Sequence, residues 1–167
     1  MYLPADDSGD HLHPSNAGYQ AIGNAVNLGL FTQPNLPVIT LRAHADSDYV
    51  TAEDGGGESL IANRTAIGFW EEFDEINEGN GAIALRAHAN GLLVTAENAG
   101  AQPLIANRTV VGSWETFQLI NNSDGSISLK ADANSDYVAA STANTQPLIA
   151  NGTSIGTAEE FDLIQDN

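Results

Sequence analysis

A chain of 167 residues with 22 acidic side chains against five basic ones carries a net charge of −17. That charge repels nucleic-acid phosphates, anionic lipid surfaces, acidic filaments and anionic polysaccharides, so no nucleic acid and no membrane is expected among its partners. There is no cysteine, hence no disulfide and no thiolate metal site; no apolar run reaches the roughly 18 residues of a membrane-spanning helix, and no signal peptide is expected from the opening residues.

In chain order, the first element is the stretch SGDHLHPSNAGY at residues 8–19. It sets Asp10 and His13 in a D-x-x-H spacing, and an acid that orients a histidine base is two thirds of a hydrolase triad. A short helix is expected next, with Ala21, Ile22, Ala25, Val26, Leu28, Leu30 and Phe31 on its apolar face. No nucleophile segment accompanies the pair, and Ser8 and Ser15 stand too close to His13 in sequence to be its usual partner. Without a nucleophile and oxyanion donors no acyl transfer is expected from this chain alone. Some 30 residues are too few for a core of their own, and the apolar helix is expected to dock, with a homodimer as one outcome. Residues 32–35 form a linker within the proline-containing TQPNLP.

Three internal repeats follow, 44 residues apart: ITLRAHADSDYVTAEDGGGESLIANRT from Ile39, IALRAHANGLLVTAENAGAQPLIANRT from Ile83 and ISLKADANSDYVAASTANTQPLIANGT from Ile127. The units fill residues 36–79, 80–123 and 124–167. Each predicts four short strands. The first, ITLRAHA in repeat one, alternates Ile39, Leu41, Ala43 and Ala45 with Arg42 and His44, the period of a half-buried strand. The second centres on Val50 and Ala52, the third on Leu60 and Ala62, and the fourth carries Phe73 and Ile76, with Gly, Asn, Asp and Pro clusters between them.

Twelve short strands in three copies predict an all-β fold. Three propeller blades are too few to close a ring, whereas a barrel capped by three hairpins removes its sheet edges by closure. The expected architecture is a β-trefoil of three 44-residue repeats with a short N-terminal helical segment; a three-sheet prism is the alternative. Phe73, Phe117 and Phe161, Leu41, Leu85 and Leu129, and Ile61, Ile105 and Ile149 are expected in the core layers.

The run L-R-A-H-A-N-G-x-x-V-T-A-E-N followed by P-L-I-A-N-R-T-x-x-G-x-W-E-x-F resembles the fascin-like β-trefoil repeat over residues 36–167. In modules appended to secreted bacterial glycoside hydrolases and esterases the resemblance implies carbohydrate binding; in animal fascins it implies actin bundling. The chain lacks the Q-x-W mark of ricin-type lectins. Residues 2–31 resemble the last block of SGNH (GDSL-type) hydrolases, with D-x-x-H-P, a Gly-Tyr and the final helix. That resemblance implies that Asp10 and His13 orient and supply a catalytic base in a parent enzyme and stand idle here. The expected function is that of a noncatalytic carbohydrate-binding module of a secreted esterase or other carbohydrate-active enzyme, taking neutral polysaccharide. An SGNH-type ester hydrolase with a live D-x-x-H motif and a fascin-like protein-binding module are the alternatives.

Two motifs in the repeats compete as sites. Arg64 with Glu71, and Arg108 with Glu115, are expected to pair beside Trp70 and Trp114 as a clamp joining strands three and four; the tryptophans as sugar-stacking platforms are the sharper alternative. Repeat three has Gly152 in place of the arginine and Ala158 in place of the tryptophan. The turn after the first strand reads Asp46, Ser47, Asp48, Tyr49 in repeat one and Asn134, Ser135, Asp136, Tyr137 in repeat three, but Asn90, Gly91, Leu92, Leu93 in repeat two. Carboxylates and amides beside an aromatic ring suit sugar hydroxyls. Asp46, Asp48, Tyr49, Asn134, Asp136 and Tyr137 are therefore the candidate carbohydrate-binding residues, with a self-bonded tight turn as the bland reading. Charge divides the same way: ten acids against two Arg in repeat one, two against two in repeat two, and seven against Lys130 in repeat three. His44, His88 and Asp132 occupy one register position, but outward-facing and far apart they predict no metal site, and no cofactor is expected. Asn63, Asn107 and Asn151 open formal glycosylation triplets at strand ends and are taken as structural.

Overall fold

The computed structural model describes residues 13–17, 19 and 36–166; Asp10, the apolar face from Ala21 to Phe31 and the linker lie outside them. Residues from 36 onward are taken by themselves below. They form twelve strands: β1 (Val38–Ala43), β2 (Tyr49–Ala52), β3 (Leu60–Arg64), β4 (Phe73–Gly79), β5 (Ala82–Ala87), β6 (Leu93–Ala96), β7 (Leu104–Arg108), β8 (Phe117–Asn121), β9 (Ile127–Ala131), β10 (Tyr137–Ala139), β11 (Ile149–Gly152) and β12 (Phe161–Asp166).

Six strands close a ring. β1 pairs antiparallel with β12 and β4, β4 with β5, β5 with β8, β8 with β9, and β9 with β12. The remaining strands make three hairpins, β2–β3, β6–β7 and β10–β11, each with a register shift at its first residue pair. The hairpins are tied to one another: the Leu104 N–H donates to the Leu148 carbonyl at 2.9 Å, and the Leu148 N–H to the Leu60 carbonyl at 2.8 Å. A closed six-stranded barrel with a three-hairpin cap is the β-trefoil. Closure pairs the barrel strands on both sides and leaves no exposed barrel edge.

The core follows the two-residue alternation. Ile39, Leu41 and Ala43 on β1, Val50 and Ala52 on β2, and Leu60 and Ala62 on β3 are all at most 2% exposed. Phe73, Phe117 and Phe161 are fully buried, as are Leu85 and Leu129 to within 1%. The expectation for Ile61, Ile105 and Ile149 needs correction. These residues are half-buried, while their neighbours Leu60, Leu104 and Leu148 are buried. One residue of register separates the two faces of a strand, and the leucine with the following alanine holds the inward face. Ile76 is likewise half-buried, because an offset of three from Phe73 places it on the opposite face of β4.

Candidate functional site

The expected clamp does not join strands three and four. Glu71 and Glu115 turn inward, 6% and 5% exposed, and brace their own turns. Glu71 accepts from the Gly68 N–H at 2.8 Å; Glu115 accepts from the Gly112 N–H at 2.9 Å and from the Thr95 hydroxyl at 2.7 Å. A buried carboxylate with two donors cannot be removed without leaving those donors unpaired. Glu115→Ala is therefore expected to lower stability by about 2–3 kcal/mol in urea unfolding, with partial recovery in Glu115→Gln; a loss near zero would refute the brace.

The arginines pair instead with the glutamate that follows the second strand in repeats one and two. Arg64 Nη2 bonds Glu53 Oε1, Arg64 Nη1 donates to Asn63 Oδ1 at 2.6 Å, and Asn63 Nδ2 donates to Glu53 Oε2 at 3.1 Å. Repeat two repeats this closed ring: Arg108 Nη2 to Glu97 Oε1 at 2.9 Å, Arg108 Nη1 to Asn107 Oδ1 at 2.7 Å, and Asn107 Nδ2 to Glu97 Oε2 at 3.0 Å. The Asn107 amide, and after it the Arg108 guanidinium, hold the Glu97 carboxyl below the ordinary glutamate range. Each trio is half-exposed, with arginine side chains 36% and 38% accessible. The sequence carries a signal for it, E-x9-N-R, present in repeats one and two; repeat three has Ser141, Asn151 and Gly152 at those positions. There, a Cβ on Gly152 would meet the Glu159 side chain at 2.8 Å, so Glu159 fills the space the arginine takes elsewhere. The glycosylation triplets at Asn63 and Asn107 have their amides engaged in these rings.

An aromatic face and a hollow adjoin the first trio. Trp70 is 39% exposed and its indole lies 3.8 Å from the Cβ position of Gly55, two residues beyond Glu53. Phe69 is 64% exposed and stands with its centroid 5.5 Å from the His88 ring. On the other side, a hollow of about 470 Å³ is bounded by Glu53, Asn63 and Ser59, with Ile61 and Ile105 among its walls. A second hollow of about 340 Å³, around Ala139, Gln146, Ile149 and Asn151, has no charged side chain in its lining.

The candidate turn residues bond largely within their own turns. Asp46 Oδ1 accepts from the Asp48 N–H at 3.0 Å and Asn134 Oδ1 from the Asp136 N–H at 3.0 Å. Asn90 Oδ1 makes the same bond to the Leu92 N–H at 2.9 Å in the repeat without aromatic or carboxylate, so this bond belongs to the turn. Ser47, Gly91 and Ser135 take the left-handed second position, at φ 66°, 73° and 67°. Tyr49 and Tyr137 are each covered by a cation, Arg42 at 5.9 Å and Lys130 at 5.6 Å from the ring centroid. Asp48 Oδ2 lies 3.4 Å from Asn144 Nδ2, and Asp136 is half-buried. His13 is exposed, and Asp10 lies outside the described residues.

His44, His88 and Asp132 each pair locally. His44 Nε2 meets Asp162 Oδ1 at 2.9 Å, His88 lies between Glu72 at 3.1 Å and Asp74 at 2.8 Å, and Asp132 accepts from Gln118 at 3.0 Å. His44, Asp124 and Glu160 bring one ligand atom each within 4.8 Å, a donor set a divalent cation could use. Register-based grouping missed it, because Asp124 and Glu160 come from other repeat positions. The same two-carboxylate pairing at His88 identifies the common element as a histidine set between two carboxylates.

No protein-family model matches the chain, and no curated protein matches it in sequence. Solved structures do resemble it. An exo-β-1,3-galactanase from Clostridium thermocellum matches at 12% identity and a TM-score of 0.71, over 80% of this chain and 31% of that one. The BEL β-trefoil matches at 12% identity and 0.66, over 80% of this chain and 98% of that one. A Polyporus squamosus lectin, bound in its crystal to the epitope Neu5Acα2-6Galβ1-4GlcNAc, matches at 10% identity and 0.68, over 80% of this chain and 50% of that one. These likenesses bear on the fold, and the fold is a β-trefoil.

Proposed function

We propose that this chain is a noncatalytic carbohydrate-binding β-trefoil that takes neutral polysaccharide at the Glu53–Asn63–Arg64 and Glu97–Asn107–Arg108 faces of repeats one and two. The observation that carries the reading is the matched trio itself. A carboxylate, an amide and a guanidinium in one half-exposed ring offer planar donors and acceptors to vicinal hydroxyls; in repeat one Trp70 adds an apolar face against Gly55, and Glu53 and Asn63 border a hollow. A net charge of −17 favours an uncharged polymer over an anionic one. The lectin and galactanase among the structural neighbours, and the resemblance of the repeats to modules of secreted enzymes, support carbohydrate as the ligand. The resemblance of residues 2–31 to the end of an SGNH hydrolase supports a secreted esterase as the parent protein. A p-nitrophenyl ester assay with His13→Ala as control is expected to give no His13-dependent turnover.

A second site is favoured by one observation: the D/N-S-D-Y turns keep Asp48 and Asp136 beside Tyr49 and Tyr137 after the turn bonds are made. Polysaccharide pull-down separates the two. Tyr49→Ala with Tyr137→Ala is expected to leave binding within about threefold of the parent, whereas loss of binding on that double change would move the site to the turns.

A further inference from the structure

The residue that opens the turn after the first strand also latches neighbouring repeats. Asn90 Nδ2 donates to the Ala106 carbonyl of its own hairpin at 2.8 Å and to the Gly56 carbonyl of repeat one at 3.0 Å. Asn134 Nδ2 donates to the Ala150 carbonyl at 2.7 Å and lies against Gly100 of repeat two. Gly56 and Gly100 sit at φ 84° and 82°, and a Cβ on either would come within 2.3 Å and 2.2 Å of the amide nitrogen. Glycine is thus required at both by backbone conformation and by the close approach.

The third junction, between repeats one and three, departs on both sides. Asp46 replaces the asparagine, and Asn144 at φ 38° replaces the glycine. By the 16-residue offset of the other two latches, the carbonyl offered to Asp46 is that of Ala62. Asp46 Oδ1 makes the usual turn bond, but Oδ2 is buried with no hydrogen-bond partner. An ionised carboxylate has no proton to give where the amides give one; a carboxylic acid does. We propose that Asp46 acts as a neutral carboxylic acid, its O–H donating to the Ala62 carbonyl of its own hairpin, so that the repeat-one turn facing Asn144 of repeat three is a latch tightened by acid.

Burial, the largest influence, pushes the Asp46 carboxyl above its ordinary value; the Asp48 N–H works against the shift and the Asp48 charge adds to it. The other charged or titratable groups around the turn are Arg42, whose Nε donates to the Ser47 carbonyl, His44 on the β1 side, held by Asp162, and Arg64, opposite Tyr49 on β3. The facing segment of repeat three, residues 141–147, carries no titratable side chain. A raised folded-state pKa means that the contribution is complete below the ordinary aspartate value of 3.8 and is lost as pH rises through the raised value.

Acid also relieves the general repulsion among the carboxylates, so the wild type alone does not isolate the latch; the difference from Asp46→Asn does. Thermal unfolding from pH 4 to pH 8 is expected to show Asp46→Asn more stable than the parent by about 3–8 °C at pH 8, with the gap closing toward pH 4. The reciprocal change Asn90→Asp is expected to lose a similar amount at pH 8 and to regain it in acid. A gap that is constant with pH, or an Asp46→Asn protein no more stable than the parent at pH 8, would overturn the proposal. So would stabilisation of the parent at pH 8 by added calcium that Asp46→Asn lacks, since a bound cation would then take the place of the proton.

Discussion

Replacing Phe117 with alanine is expected to lower the unfolding free energy by about 3–5 kcal/mol. Its side chain is fully buried, and it opens β8 where that strand meets both β5 at Ile83 and β9 at Ala131. Phe73 and Phe161 stand in the same relation: Phe73 faces Ile39 on β1 and Ala87 on β5, and Phe161 faces Ala43 on β1 and Ile127 on β9. Each ring therefore packs where three barrel strands converge, with alanine or isoleucine opposite and too little side chain nearby to refill a cavity. Phe73→Ala and Phe161→Ala are expected to cost within about 1 kcal/mol of Phe117→Ala, because the three sites have matched neighbours. Urea denaturation monitored by tryptophan fluorescence checks this. A single phenylalanine carrying most of the loss would show the three thirds of the barrel to be energetically unequal.

Removing both arginines of the trios, Arg64→Ala with Arg108→Ala, is expected to weaken binding to a neutral polysaccharide by about 10²-fold or more, since two linked sites on one polymer gain from effective concentration and lose that gain together. Each arginine bonds both a carboxylate and an asparagine. Its loss frees Glu53 or Glu97 and places an unpaired negative charge at the sugar face. The fold is expected to tolerate the change, because the pairs are half-exposed and such pairs contribute about 0–1 kcal/mol each. Circular dichroism with the pull-down separates loss of binding from loss of folding.

The strands were legible because the two-residue period is unbroken at Ile39, Leu41 and Ala43 and again at Val50 and Ala52. Closure followed from twelve short strands in three copies. What misled was proximity along the chain. Arg64 is seven residues from Glu71 and eleven from Glu53, and only the fold-back of the β2–β3 hairpin makes Glu53 the partner. In the same way Leu60 and Ile61 are equally apolar, and only their pairing with β2 decides which faces the core. The turn residues were identified as a cluster, but whether an Asx oxygen goes to a ligand or to the backbone depends on a dihedral at Ser47 and Ser135 that composition does not encode.

The central claim is that two trios on one trefoil bind neutral sugar. Its most direct test is titration calorimetry with a neutral oligosaccharide selected from a glycan array. Two sites per chain are expected, falling to one in Arg64→Ala or Arg108→Ala and to none in the double variant. An array without a neutral-glycan ligand, or two sites undiminished in the double variant, would contradict it.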